Sequence, residues 1–109
     1  MDAERYSLLA DILLDLEMAL RGCDLWESEA PSSEALRSHQ PFCIDTLRFS
    51  QWLQFVFLVR LRDIVACQAP LPNQSAIVVI AEENFRGASY DFTAIIDCLA
   101  RFDALIQEH

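Results

Sequence analysis

Apolar side chains recur every three or four residues over the first part of the chain, a spacing typical of an amphipathic helix. We therefore predict a helix over residues 3–21, which Gly22 is suited to end. Its apolar stripe consists of Tyr6, Leu9, Leu13, Leu16 and Leu20, widened by Leu8 and Ile12. The opposite side carries Glu4, Asp11 and Asp15.

A second helical pattern covers residues 49–67, and here apolar residues occupy two faces of the predicted helix. One face consists of Trp52, Phe55, Val56 and Val59, and the other of Leu53, Phe57, Leu61 and Ile64. The polar residues Gln54, Arg60, Arg62 and Asp63 share no common side. A helix that is hydrophobic all round is a buried one, so we expect this second helix to be central and largely buried.

The segment between these helices, residues 23–47, is polar and bounded by prolines. A short helical turn over residues 33–38 is expected, because Ser and Glu favour a helix start. Trp26 and Phe42 are the expected anchors of this segment in the core. A connection of this length inside a domain is unusual and often functional.

Two further helices are predicted in the last third of the chain. "SAIVVIAEENF" (residues 75–85) has β-branched residues at its centre, but no second strand-like run exists to pair with it, so we predict a short helix capped by Asn73. A last helix is expected over residues 90–107 with Ser89 as its cap. The predicted fold is one domain over residues 1–109: all-α, a small four-helix bundle with a long ordered loop between helices 1 and 2.

The charge of the chain excludes some partners. Seventeen acids and eight bases, all of them Arg, give a net charge of −9. Such a chain repels phosphate, so direct binding of nucleic acid or of an anionic membrane is not expected. Apolar residues make up 53% of the chain. Since a small domain has much surface per residue, this surplus indicates a dimer or a partner surface.

The chemistry-bearing residues point to no reaction. The four cysteines at positions 23, 43, 67 and 98 form no C-x-x-C pair, and zinc sites usually draw ligands from tight local pairs. Two glycines cannot form a phosphate-binding loop. We therefore expect no metal, no cofactor and no catalytic residue. The N-terminal stretch lacks a signal-peptide pattern, so we expect a cytoplasmic protein with free thiols.

Arg60 is the most informative polar residue, because it lies in a helix predicted to be buried. A buried guanidinium needs an acceptor, since leaving it unpaired costs several kcal/mol. Asp63, one turn further on, and Asp45, just before the helix, are the local candidates. If Arg60 has a structural role, it pairs with Asp45 and ties the loop to the central helix. Thr46 would then bond backbone groups at the helix start. A role for Arg60 in ligand binding remains the alternative. Trp52 is either part of the core or an exposed aromatic platform.

Four sequence features together resemble the YqcC-like family of small bacterial proteins. They are "QPFCIDT" at residues 40–46, "WLQF" at 52–55, Arg60, and "PLP" at 70–72. Trp26 and Pro31 also stand where that family has a tryptophan and a proline. The chain departs from the family pattern at Phe55, where a second tryptophan is common, and at Val59, where a proline often precedes the arginine. The missing proline predicts a straighter central helix.

The resemblance implies an all-α bundle and gives no mechanism. Family members are sometimes labelled in connection with a tRNA pseudouridine synthase, and this chain is too short and too acidic to be that catalyst. We predict a non-catalytic interaction module that docks on another protein, with an RNA-modifying enzyme as one candidate partner. Binding of a small anionic ligand around Arg60 and self-association are the alternatives. The candidate binding residues are Phe42, Asp45, Thr46, Trp52, Gln54 and Arg60.

Overall fold

The computed structural model describes residues 2–107, and these residues form helices, turns and irregular segments without a β-strand. The all-α prediction is therefore confirmed. The α-helices are α1 (Asp2–Gly22), α2 (Ser33–Leu36), α3 (Phe49–Trp52), α4 (Leu58–Cys67), α5 (Ile77–Phe85) and α6 (Thr93–Gln107). A 3₁₀ turn covers Pro41–Cys43, and a π-helical segment, Leu53–Phe57, joins α3 to α4. We call residues 49–67, which run without a break, the composite helix.

The core lies where α1 packs against both α4 and α6, and α5 also packs against α6. The predicted stripe of α1 is confirmed for its four leucines at positions 9, 13, 16 and 20, all of which are buried. Leu8, by contrast, is 45% exposed. It lies about 100° around the helix from Leu9, at the edge of the stripe. Trp26 and Phe42 both pack against the core, as predicted.

Burial along the composite helix is uneven, and the burial expected for Arg60 is wrong. The first half of this helix buries Leu53, Phe57 and Leu58, but α4 exposes Val59, Arg60, Arg62 and Asp63. A π turn lies at the junction between the two halves. The Leu58 amide donates to the Leu53 carbonyl, five residues earlier, so the helix gains a residue in that turn. The predicted face of Leu53, Phe57, Leu61 and Ile64 continues into α4, since Leu61 is buried and Ile64 packs against the core. Val59, on the other predicted face, and the polar residues of α4 reach solvent.

Helix α5 confirms the short helix predicted in residues 75–85, but Asn73 does not cap it. The cap comes from α6, where the buried carboxylate of Asp103 accepts the amide N–H groups of Ile77 at 3.1 Å and Val78 at 3.0 Å. The Ser75 hydroxyl also donates to Asp103. Long-range contacts therefore fix the start of α5.

Helix α6 begins at Thr93, three residues after the predicted start. The Asp91 carboxylate accepts the Thr93 amide at 2.9 Å, so Asp91 caps the helix in place of Ser89. Hydrogen bonding to Thr93 lowers the pKa of Asp91. Within the part of the chain that the structure describes, no helix is both long and apolar enough to cross a membrane.

Candidate functional site

A cavity of about 470 Å³ opens between the composite helix, α5 and the segment that leads into α5. Four of its lining residues, Phe42, Trp52, Phe57 and Phe102, form a row of aromatic rings in contact. Successive ring centroids are 4.9, 5.5 and 5.1 Å apart, within the range at which aromatic pairs stabilise each other. This row packs against the core on one side and lines the cavity on the other.

A second cavity of about 330 Å³ adjoins the first, because Phe42 and Ile80 line both. We call the two together the groove. Helix α5 follows it along its length, from Ile77 in the first cavity to Asn84 in the second. The other side consists of the composite helix and the turn at residues 41–47.

The two ends of the groove carry opposite charge. Arg60 lines the first cavity, is exposed, and makes no ion pair among the side chains described, those of residues 3–107. Glu83 lines the second cavity and pairs with its neighbour Arg86 at 2.9 Å. Both partners of that pair are largely exposed, so it stabilises little. Between these charges the groove is apolar except for Gln74, Ser75 and Asn84.

The predicted pairing of Arg60 with Asp45 or Asp63 does not form among the described residues. Asp45 instead accepts the hydroxyl of Ser38 within its own loop. The premise of a buried guanidinium is wrong, since α4 directs Arg60 to solvent. An exposed arginine at the end of an apolar groove is available to an anionic group of another molecule.

The backbone next to the groove adopts unusual conformations at two places. Phe42 and Cys43 are consecutive residues with positive φ, 57° and 51°. Residues other than glycine rarely adopt this backbone conformation. The π segment, Leu53–Phe57, follows Trp52 in the composite helix. Left-handed non-glycine residues and π turns each carry a cost and are concentrated at functional sites. Both lie on the side of the groove opposite α5, and their position beside it marks the groove as the candidate site.

Three of the six predicted site residues, Phe42, Trp52 and Arg60, meet in this groove. The other three, Asp45, Thr46 and Gln54, do not line it and hold the long loop in place. The Thr46 hydroxyl donates to the Ala35 carbonyl at 2.7 Å and so ties the turn at residues 41–47 to α2.

Gln54 secures the beginning of the same loop. It is buried; its Oε1 accepts the Glu27 amide at 2.9 Å, and its Nε2 donates to the Glu27 carbonyl at 2.8 Å. The Glu27 carboxylate in turn accepts hydrogen bonds from Arg48 at 2.7 Å and Gln51 at 3.3 Å. Gln54 is therefore a structural residue that joins the loop to the composite helix.

Sequence reasoning missed the α5 side of the groove. Ile77 and Ile80 were placed in a helix without a role, although their three-residue spacing was a signal that they share a face. Asp103, which fixes the start of α5, gave no signal, since a lone aspartate in an amphipathic helix is usually a surface residue.

No cluster of three or more metal-ligating side chains occurs in residues 2–107. Burial raises the pKa of the Cys23 and Cys98 thiols, which keeps them protonated and weakens them as nucleophiles. Neither thiol lines the groove. The arrangement provides an apolar surface with a cation at one end and an anion at the other.

Comparison with known proteins places the chain in a family. A family described as "tRNA pseudouridine synthase C" matches residues 8–105. An "Uncharacterized protein" of Haemophilus influenzae is 37% identical over 71 residues, which are 65% of this chain and 67% of the relative. A "tRNA pseudouridine synthase C" of Pectobacterium carotovorum is 35% identical over 75 residues, which are 69% of this chain but 20% of the relative.

"Uncharacterized protein YqcC" of Escherichia coli is 30% identical over 93 residues, which are 85% of each protein. No solved structure matches the chain at a significant level. The motifs at residues 40–72, the family match over most of the chain and these relatives agree, and the chain belongs to the YqcC-like family.

Proposed function

We propose that the chain is a cytoplasmic, non-catalytic interaction module that docks on a tRNA pseudouridine synthase through the groove. The observation that carries the proposal is the groove itself, an open apolar surface whose aromatic row is left partly uncovered. Contiguous apolar surface of this kind marks interaction sites. In this proposal the four longer helices act as one four-helix bundle, a rigid frame that presents the groove.

The choice of partner is supported by the relative from Pectobacterium carotovorum. The match covers 20% of that protein, so most of it lies outside the region that resembles this chain. A protein that carries both a matching region and the name "tRNA pseudouridine synthase C" is what we expect if the module and the enzyme work side by side. The family description carries the same name.

Charge supports the same choice. A protein that binds tRNA neutralises phosphates with Lys and Arg and therefore has a basic surface. This chain carries a net charge of −9. Opposite net charges steer two proteins together and raise the rate of association, so the composition that argues against direct RNA binding suits a partner that binds RNA.

A second candidate function is binding of a small anionic molecule. It is favoured by Arg60, which has no ion pair among the described residues and lines a cavity of about 470 Å³. That volume is in the usual range for ligand pockets. In this case the apolar part of the molecule would lie on the aromatic row, and its anionic group would contact the guanidinium.

The test is to mix the purified chain with the tRNA pseudouridine synthase C of the same host and measure binding by calorimetry and light scattering. We expect a complex of fixed stoichiometry. Ile44→Asp should weaken it about tenfold or more, because a charge is placed in an apolar contact. Leu14→Asp is the matched control, since Leu14 is a similarly exposed aliphatic residue of α1, outside the groove.

Leu14→Asp should leave the affinity unchanged. Absence of a complex would rule out this partner. Self-association of the chain alone, lost in Ile44→Asp, would point to a homodimer through the groove.

A further inference from the structure

The groove has the dimensions of a helix-binding site. Ile77 and Asn84, at its two ends, are seven residues apart on α5, so they are separated by about 10 Å along the helix axis. A second helix that packs beside α5 would lie 8–10 Å from its axis. Two turns of such a helix present residues i, i+3 or i+4, and i+7 to a groove of this length.

The chemistry of the lining distinguishes a helix from an extended segment. An extended peptide needs backbone donors and acceptors along its length, since unpaired polar groups that lose water are costly. The groove offers side-chain hydrogen-bonding groups at Gln74, Ser75 and Asn84, with the charged residues at its ends, and no strand edge occurs within residues 2–107. A helix satisfies its own backbone groups and buries only its apolar face. The lining therefore favours a helix.

The end charges fix the direction of that helix. A helix carries a partial positive charge at its N-terminus and a partial negative charge at its C-terminus. Arg60 lies at the end of the groove where α5 begins, and Glu83 lies in the last turns of α5. A docked helix with its C-terminus near Arg60 is favoured by that unpaired cation, and Glu83, whose charge Arg86 offsets in part, favours its N-terminus at the other end. Such a helix runs antiparallel to α5.

We propose that the groove binds an amphipathic helix of the partner enzyme, antiparallel to α5; this inference rests on the proposed function. Apolar side chains about two turns apart fill the two cavities, and an acidic residue in the last turn of that helix contacts Arg60. Phe42 and Ile80 lie at the junction of the cavities and contact the middle of the bound helix.

Photo-cross-linking tests the geometry. A benzoylphenylalanine is placed either at Ile44 or at Gln74, both of which are exposed and line opposite ends of the groove. Each variant is mixed with the purified tRNA pseudouridine synthase C, irradiated, and mapped by mass spectrometry. We expect both probes to reach one segment of the enzyme, with the Ile44 contact about seven residues N-terminal to the Gln74 contact. An extended segment would give a spacing of about three residues.

A charge reversal tests the contact with Arg60. Arg60→Glu and Arg37→Glu change the net charge of −9 by the same two units, and Arg37, directly after α2, lies outside the groove. We expect Arg60→Glu to weaken the complex about tenfold more than Arg37→Glu, because a close charge pair is lost in addition to the general attraction.

The outcomes separate the two proposals. If no complex forms, the proposed function fails and the helix with it. If a complex forms but the contacts fall on two separate segments, in the reverse order or at the shorter spacing, the helix is wrong while the interaction module stands. Equal effects of the two reversals would likewise overturn the contact with Arg60.

Discussion

Arg60 lies on the solvent side of α4 and lines the groove without an ion pair among the described residues. Its contribution to the stability of the isolated protein should therefore be small. We expect Arg60→Ala to change the free energy of unfolding by less than about 0.5 kcal/mol, as for other surface substitutions. Urea unfolding measures this. A loss above about 1.5 kcal/mol would indicate a buried partner for the guanidinium.

Glu17, unlike Arg60, makes ion pairs with other described side chains, and these link two helices. It accepts hydrogen bonds from Arg21 of α1, at 2.9 Å, and from Arg62 of α4. The bond from Arg21 is the largest cause of its lowered pKa, and burial opposes it. A lowered folded pKa means that the carboxylate stabilises the fold above its unfolded pKa, and that this contribution is lost as pH falls through the folded value.

We therefore expect Glu17→Gln to reduce the free energy of unfolding at pH 7 by about 0.5–1 kcal/mol, a range typical of exposed pairs. The difference from the unsubstituted protein should shrink as the pH falls below the folded pKa of Glu17. Urea unfolding at neutral and at acidic pH provides the measurement. A deficit that is the same at both pH values would show that lost packing, and not the charge, causes it.

Individual residues show how far sequence reasoning reaches. Phe42 and Trp52 were predicted from their bulk and from the family motifs, and both line the groove. Gln54 was predicted as a binding residue at the exposed edge of the second helix. Its amide instead bonds the backbone of Glu27. No local pattern reveals a partner 27 residues away.

At the scale of the element, α5 depends on a residue of another helix. Asp103 supplies acceptors for the first amides of α5, and it is buried. We expect Asp103→Ala to lower the free energy of unfolding by about 2–3 kcal/mol, since it removes a cap and leaves buried donors unsatisfied. Asp97→Ala is the control, because Asp97 is exposed on the same helix.

Hydrogen exchange at the Ile77 and Val78 amides, measured together with urea unfolding, locates the effect. Faster exchange confined to the start of α5 agrees with the assigned cap. Equal behaviour of Asp103→Ala and Asp97→Ala would contradict it. Since α5 forms one side of the groove, we expect loss of this cap to weaken binding as well.

The helices themselves were largely predictable from apolar periodicity, and their ends were not. The composite helix has the predicted bounds at 49 and 67, but the π segment inside it left no trace in the pattern. The apolar face of Leu53, Phe57, Leu61 and Ile64 continues across that segment, and Arg60 lies on a side of α4 that reaches solvent. The start of α6 was missed by three residues because Asp91, and not Ser89, accepts the first amide.

At the scale of the whole molecule, the chain combines two different surfaces. Acidic side chains give it a net charge of −9, while the groove collects apolar and aromatic groups between opposite charges at its ends. In the proposed function, the negative charge attracts a basic partner from a distance. The groove then provides a contact that excludes water. The surplus of apolar residues read from the composition is in part located in this groove.

The central claim is that the partner covers the groove, and methyl NMR tests it most directly. Spectra of the labelled chain are recorded as purified tRNA pseudouridine synthase C is added. We predict that the methyl signals of Ile44 and Ile80 shift or broaden, while those of Leu8 and Leu14 on α1 stay unchanged. Changes on α1 without changes at Ile44 and Ile80 would contradict the account.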